Sequence, residues 1–172
     1  MKLILVMAVT VDGMIAKSAD HFPDWTGKGD KRLFMEISKK AGVVIMGSKT
    51  FDTLKKPLPD RKTVVLTRNR QRISSDPRVV FSPLSPAVLL KELAKEGYKE
   101  AILAGGATIN TLFAAAGLID EMVLTVSPLV FGTGISLFAG EVDMAVELIE
   151  HQRLEGGLMC LRYRILSLEA AE

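Results

Sequence analysis

The chain has 172 residues, with Lys+Arg 22 against Asp+Glu 20 and a formal net charge of +2. Hydrophobic residues make up 48% and charged residues 24%, a globular composition that excludes disorder, and the length suits a single domain, 1–172. One cysteine, Cys160, excludes a disulfide framework and a multi-cysteine zinc site, two histidines leave too few ligands for a structural zinc, and near-neutral charge argues against a nucleic-acid-binding module.

Leu3–Val9 reads as a buried strand. It is too short to span a bilayer, and Asp12 follows at once with no small-residue cleavage site, so a soluble, cytoplasmic protein is expected. Asp30–Ala41 reads as a helix with Leu33, Phe34, Ile37 and Ala41 on one face. Val43–Met46 is a second strand, Ser48–Leu54 a short helix, Thr63–Thr67 a third strand and Val79–Phe81 a fourth. Ser85-Pro86 is an N-cap serine with proline at the first helical position, and that helix runs to Glu96 before Gly97 stops it. Ala101–Ala104 is a strand, followed by Gly105-Gly106 and a helix over Thr108–Ala116. Strands alternating with helices imply parallel crossovers.

The last third changes character. Met122–Phe131 reads as a long strand interrupted by Pro128, which cannot donate a ladder bond. Val146–Leu154 and Leu158–Leu166 flank Glu155-Gly156-Gly157, a hairpin signal. In the last strand Met159, Leu161, Tyr163 and Ile165 alternate with Cys160, Arg162 and Arg164, one buried face and one wet or partner-facing face. The expected fold is α/β: a mixed sheet, parallel strands first and an antiparallel hairpin at the C-terminus, with helices on both faces.

Ligands of open α/β sheets bind at the carboxyl ends of the strands. Gly105-Gly106 ends one strand and opens a helix, where a backbone can turn tightly and a phosphate is favoured; a plain strand-to-helix turn is the bland alternative. Gly47-Ser48-Lys49-Thr50 ends another but is no P-loop, because a serine separates glycine from lysine and a strand fills the interval after Gly42. Thr67-Arg68 ends a third. Three polar, partly cationic strand ends point to a ligand with several phosphates, and a dinucleotide fits, although no G-x-G-x-x-G is present. Asp30 precedes Leu33, Phe34 and Ile37 by three, four and seven positions, so a helical Asp30 lies on their buried face. A carboxylate there is costly unless it binds something; the alternative is an N-cap. Trp25, the one tryptophan, stands in a polar loop, either as a loop anchor or as a lid over an aromatic ligand. No nucleophile constellation appears; His21, His151, Lys39-Lys40 and Lys55-Lys56 read as surface groups.

These residues resemble the dihydrofolate reductase superfamily, which includes the riboflavin-pathway pyrimidine reductases, over nearly the whole chain. In the front half, Val11-Asp12-Gly13-Met14-Ile15-Ala16 resembles the first loop of dihydrofolate reductase. Pro23-Asp24-Trp25 resembles its mobile lid, with one residue inserted. Trp25 to Asp30 has the family spacing from lid tryptophan to pterin-binding acid. Val44-Ile45-Met46-Gly47, Thr50-Phe51 and Pro57-Leu58-Pro59-Asp60-Arg61 resemble a second motif run, and Leu124-Thr125 resembles the strand threonine that bonds the acid. In the back half, Ala104-Gly105-Gly106-Ala107-Thr108, Gly117-Leu118-Ile119-Asp120-Glu121 and Pro128–Gly134 resemble the riboflavin-pathway reductase domain. The Asp-Pro-x-Leu-Thr run of those enzymes is absent, and so is the P-C-x-x-C of their zinc deaminase half.

The resemblance implies a dihydrofolate-reductase-like fold and an NADPH-dependent oxidoreductase. Dihydrofolate is the first expected substrate, the phosphoribosyl aminopyrimidine of riboflavin biosynthesis the second, and a non-catalytic nucleotide-binding protein is a third reading. It implies catalytic roles for Asp30, Thr125 and Trp25, and substrate contacts from Phe34, Leu54, Val6 and Arg61, the last gripping the glutamate tail of folate. For the cofactor it implies Ala8, Ile15, Gly47, Ser48, Lys49 and Thr50, then Leu66, Thr67 and Arg68, then Ala104, Gly105, Gly106, Ala107, Thr108 and Ile109. Ser48 stands where an arginine is usual and Asn110 where a tyrosine is common, and both support the non-catalytic reading. A small-molecule substrate is implied, with no metal, nucleic acid or membrane. A homodimer is also expected, because Phe131–Phe138 would otherwise expose large apolar groups and the resemblance to dimeric relatives lies there.

Overall fold

The structure, a computed structural model, describes residues 1–54 and 56–166. Lys55 lies outside the described residues.

Strands β1 (Lys2–Thr10), β3 (Val43–Gly47), β4 (Lys62–Leu66), β5 (Val79–Ser82), β6 (Glu100–Leu103), β7 (Glu121–Ser127), β9 (Ala145–Arg153) and β10 (Met159–Leu166) form one sheet in the order β5-β4-β3-β6-β1-β7-β10-β9. The first six in that order are parallel; β10 and β9 run antiparallel to their neighbours. Near-continuous apolar runs in β1, β3 and β6 require cover on both faces, and the helices supply it. On one face α1 (Gly27–Ala41) lays Leu33, Phe34 and Ile37 over Ile4, Val6, Val44 and Met46. On the other, α3 (Pro86–Lys95) and α4 (Ala107–Ala115) set Leu89, Leu93 and Phe113 against Leu3, Leu5, Ile45 and Leu103. The two-residue alternation along β1 thus divides its side chains between the two cores. The short helix α2 (Ser48–Asp52) follows β3 directly.

Four expectations are corrected. Helix α1 begins at Gly27, a turn earlier than Asp30, so Asp30 lies inside the helix and Thr26 holds the N-cap position. Strand β7 stops at Ser127, because Pro128 ends the ladder where a run to Phe131 was expected. Residues 131–138 do not project: Phe131 meets Trp25 and His21 edge-on, and Leu137 and Phe138 pack on the core. In the same segment β8 (Ile135–Ser136) pairs with β2 (Met14–Ala16), a two-stranded sheet too short to show as a sequence pattern. In β10 the buried residue is Cys160, on the face expected to be wet, because α1 and Leu154 cover that side. Among the described residues no helix is long and apolar enough to cross a membrane.

Candidate active site

The C-terminal ends of β1, β3, β4 and β6 share one edge of the sheet, where Ala8, Gly47, Leu66 and Ala104 stand. The backbone N–H of Gly47 donates to the carbonyl of Gly105 at 2.8 Å, which joins the ends of β3 and β6. Both corners are closely approached. A Cβ on Gly47 would lie 2.8 Å from Ile109 Cγ1, and one on Gly106 would lie 3.2 Å from Thr50 Oγ1. Gly105 holds φ +85, a left-handed conformation that favours glycine, and opens α4 at Ala107 and Thr108. Gly47, Thr50, Gly105, Gly106 and Ile109, named from separate motifs, therefore meet in space. Ser48 is half-buried and Lys49 is exposed.

Beyond this corner lies a groove of 330 Å³ lined by Thr67, Asn69, Arg70, Arg72, Phe81 and Pro83. The Arg72 guanidinium lies 4.5 Å from the Phe81 ring centroid and bonds both Asp52 carboxylate oxygens, at 3.0 and 2.5 Å. Arg68 and Arg70 are exposed and make no ion pair among the described residues. Of this loop the sequence reading singled out Thr67 and Arg68 alone; the Arg68-Asn69-Arg70-Gln71-Arg72 run after β4 was the available signal. An aromatic wall and two guanidinium groups without an ion pair among the described residues fit a phosphate-bearing dinucleotide such as NADPH.

Asp30 projects from the first turn of α1. Burial pushes its carboxyl above the ordinary carboxylate range; hydrogen bonds from the Thr26 and Thr125 hydroxyls and the Lys31 charge pull it back. Thr125, on β7, is 1% exposed. Its cross-strand partner on β10 is Cys160, and burial and the Glu150 and Asp30 charges push that thiol up. Val6, Phe34 and Leu54 share one apolar cluster with Phe51, Ala104 and Cys160 beside this carboxyl. Sequence reasoning missed Thr26 and the placement of Cys160. Thr26 carried a signal, a hydroxyl residue one helical turn before an acid, whereas cross-strand register has none at the sequence level.

Trp25 adjoins Thr26 and meets Phe131 at 5.2 Å. Ile15 lies in β2, half-buried. Asn110 is buried, and its Nδ2 donates to the Leu137 carbonyl at 2.8 Å, so it anchors the returning segment. Arg61 is also buried. Its Nε donates to the Pro59 carbonyl at 2.8 Å, Nη1 to Ser38 Oγ and Nη2 to Met35 Sδ at 2.7 Å. No carboxylate pairs with it among the described residues, and burial pulls its pKa down. Two of its five N–H groups remain for an anion.

A family model, the RibD C-terminal domain, matches residues 1–160. The chain belongs to this family. RibD of Acinetobacter baumannii has the same fold, with a TM-score of 0.83 at 20% identity over 96% of this chain and 58% of that one. A riboflavin biosynthesis protein from Shewanella sp. PV-4 matches at a TM-score of 0.80 and 24% identity, over 97% of this chain and 100% of that one. Among curated relatives, the uncharacterized protein YwjB of Bacillus subtilis is 32% identical over 145 residues, 80% of this chain and 82% of that protein. Dihydrofolate reductase type A13 of Escherichia coli is 34% identical over 113 residues, 64% of this chain and 63% of that protein. The RibD C-terminal domain and dihydrofolate reductase share the fold, so the expected superfamily and fold class hold.

Proposed function

We propose that this RibD C-terminal domain protein is an NADPH-dependent reductase of a pterin-type ring, converting 7,8-dihydrofolate to tetrahydrofolate. One observation carries the reading: a half-buried carboxyl, Asp30, stands in the first turn of α1, one helical turn before Phe34 of the apolar cluster. Such a group pairs with the amino and amide edge of a pterin, while Phe34, Val6 and Leu54 pack on the ring. Gly47, Thr50, Gly105, Gly106 and Ile109 would hold the nicotinamide half of the cofactor, and Arg68 and Arg70 its phosphates. NADPH, when bound, supplies a hydride to a ring carbon. The adjacent ring nitrogen would take its proton from solvent before the site closes, and Asp30 would stabilise that protonated ring. Trp25, backed by Phe131, closes the site against water. The two free N–H groups of Arg61 suit the carboxylate of the folate tail.

The family match and the RibD neighbours favour a second reading, reduction of 5-amino-6-(5-phosphoribosylamino)uracil. That ring offers Asp30 a similar polar edge, and its phosphate is an anion that Arg61 can equally take. The test is loss of NADPH absorbance with dihydrofolate, then with the aminopyrimidine. Turnover of dihydrofolate is the expected result; turnover of the aminopyrimidine alone transfers the function to the second reading, and turnover of neither favours a nucleotide-binding protein without catalysis.

A homodimer belongs to the same proposal, through the edge of the last strands and not through residues 131–138. Val146 and Leu148 on the edge strand β9 are 40% and 49% exposed, and they pair with Ile165 and Tyr163 of β10. The apolar face thus continues past its helical cover to an unpaired edge, which a second copy would protect.

A further inference from the structure

Arg61 is 3% exposed, yet none of its hydrogen-bond partners is a carboxylate. Asp60, its neighbour in the chain, turns instead to Lys39, at 2.8 Å. Two of the three acceptors around the guanidinium are fixed. The Pro59 carbonyl is backbone, and the Ser38 hydroxyl is fully buried and already donates to the Phe34 carbonyl one turn back along α1. The third is the Met35 thioether, 2.7 Å from Nη2, on a side chain that is 40% exposed. We infer that Met35 is the gate of this anion site: its thioether covers Arg61 Nη2 until an oxyanion on the substrate tail displaces it. The inference rests on the reductase reading given above, in which Arg61 meets that tail.

A buried cation without an anion is costly, and a thioether compensates it poorly, because sulfur is a weak acceptor. A carboxylate or phosphate oxygen at the same N–H makes a charge-assisted bond, roughly twice as strong as a neutral one. The exchange is therefore favourable once an oxyanion arrives. It also enlarges the site. With the sulfur in place two N–H groups of the guanidinium are free; with it gone there are three, spread over Nη1 and Nη2. One oxyanion can then bridge both nitrogens. Methionine suits this task, since its unbranched side chain has three rotatable bonds and can swing toward solvent without disturbing the helix. Met35 directly follows Phe34, so the side chain that moves adjoins the one that packs on the ring.

The test reads the gate without turnover. Methionine labelled with ¹³C at the methyl carbon is followed by NMR, and the resonance missing from Met35→Ala identifies residue 35. Two probes carry the two tails, 4-aminobenzoylglutamate for the carboxylate and ribose 5-phosphate for the phosphate, and calorimetry measures their binding. The probe that binds names the source of the oxyanion, and it is expected to shift the Met35 methyl signal with the same dissociation constant. Met35→Ala, with the cover removed, is expected to bind that probe about tenfold more tightly, the scale of one hydrogen bond that no longer has to be broken. In Arg61→Lys the gain from Met35→Ala should vanish, and thermal melts of all variants verify the fold. Failure of both probes to bind overturns the inference, as does a bound probe that leaves the Met35 signal in place, or an unchanged affinity in folded Met35→Ala. The reductase reading fails separately, when neither dihydrofolate nor the aminopyrimidine consumes NADPH while the methyl signal still moves.

Discussion

The Asp12 carboxylate accepts the backbone N–H of Phe131 at 3.2 Å, across 119 residues of sequence, and that of Gly132 at 2.8 Å. Thr10 Oγ1 donates to it as well, at 2.5 Å. Phe131 in turn meets both Trp25 and His21, with the Lys17 ammonium 5.0 Å from its ring centroid. One carboxylate therefore fixes the loop against which Trp25 rests.

The Thr10 hydroxyl and the two N–H groups hold the Asp12 carboxyl below its ordinary range. A lowered folded-state pKa contributes stability above the ordinary carboxylate range and loses it as pH falls through the folded value. Asp12→Asn mimics the neutral acid. It should melt below wild type at pH 7, with the gap closing under acid conditions, and should alter Trp25 fluorescence. Identical melting curves at pH 7 would remove the anchoring role.

Asp30 has the opposite sign. Burial raises its folded-state pKa, so ionisation costs stability once pH rises through the window between the unfolded and folded values. Asp30→Asn should melt above wild type at pH 7, with the difference vanishing below the ordinary carboxylate range. The same variant should lose turnover by roughly 10²–10⁴-fold. A gain in stability paired with a loss of activity is the trade-off of a polar group kept for function. Stability gained with activity intact would return Asp30 to a structural role.

Gly47 should resist substitution for a local reason. The added Cβ of Gly47→Ala would lie 2.8 Å from Ile109 Cγ1, at the start of α4. Overpacking of this kind costs about 1–3 kcal/mol. The double variant with Ile109→Ala should recover part of the loss, and a denaturant cycle measures the coupling. Strict additivity would mean that the contact relaxes without cost.

Recognition of the extra NADPH phosphate should fall on Arg68 and Arg70, because Arg72 is already committed to Asp52. Arg68→Ala should weaken NADPH more than NADH, by an amount on the order of 1.5–3 kcal/mol. Equal weakening of both, measured by fluorescence titration, would take Arg68 away from that phosphate.

Leu148→Asp places a charge on the exposed stripe of β9 without touching the core and should shift sedimentation from dimer to monomer. Phe138 is unsuitable for this test, since it packs against the core and an aspartate there would unfold the protein. Wild-type protein that sediments as a monomer across a wide concentration range would remove the dimer.

Local pattern determined most of the elements. The apolar runs of β1, β3 and β6, the helical face of Leu33, Phe34 and Ile37, and the punctuation at Ser85-Pro86 and Gly97 are all short-range signals. Burial and backbone preference act on neighbouring residues, so these could be read without the fold. The spacing from Trp25 to Asp30 carried meaning through the family resemblance instead. What only the tertiary structure decided lies between distant segments. The register that sets Cys160 beside Thr125, the return of Phe131 to Trp25 and the pairing of β2 with β8 all depend on long-range packing, which leaves no periodic trace in either partner.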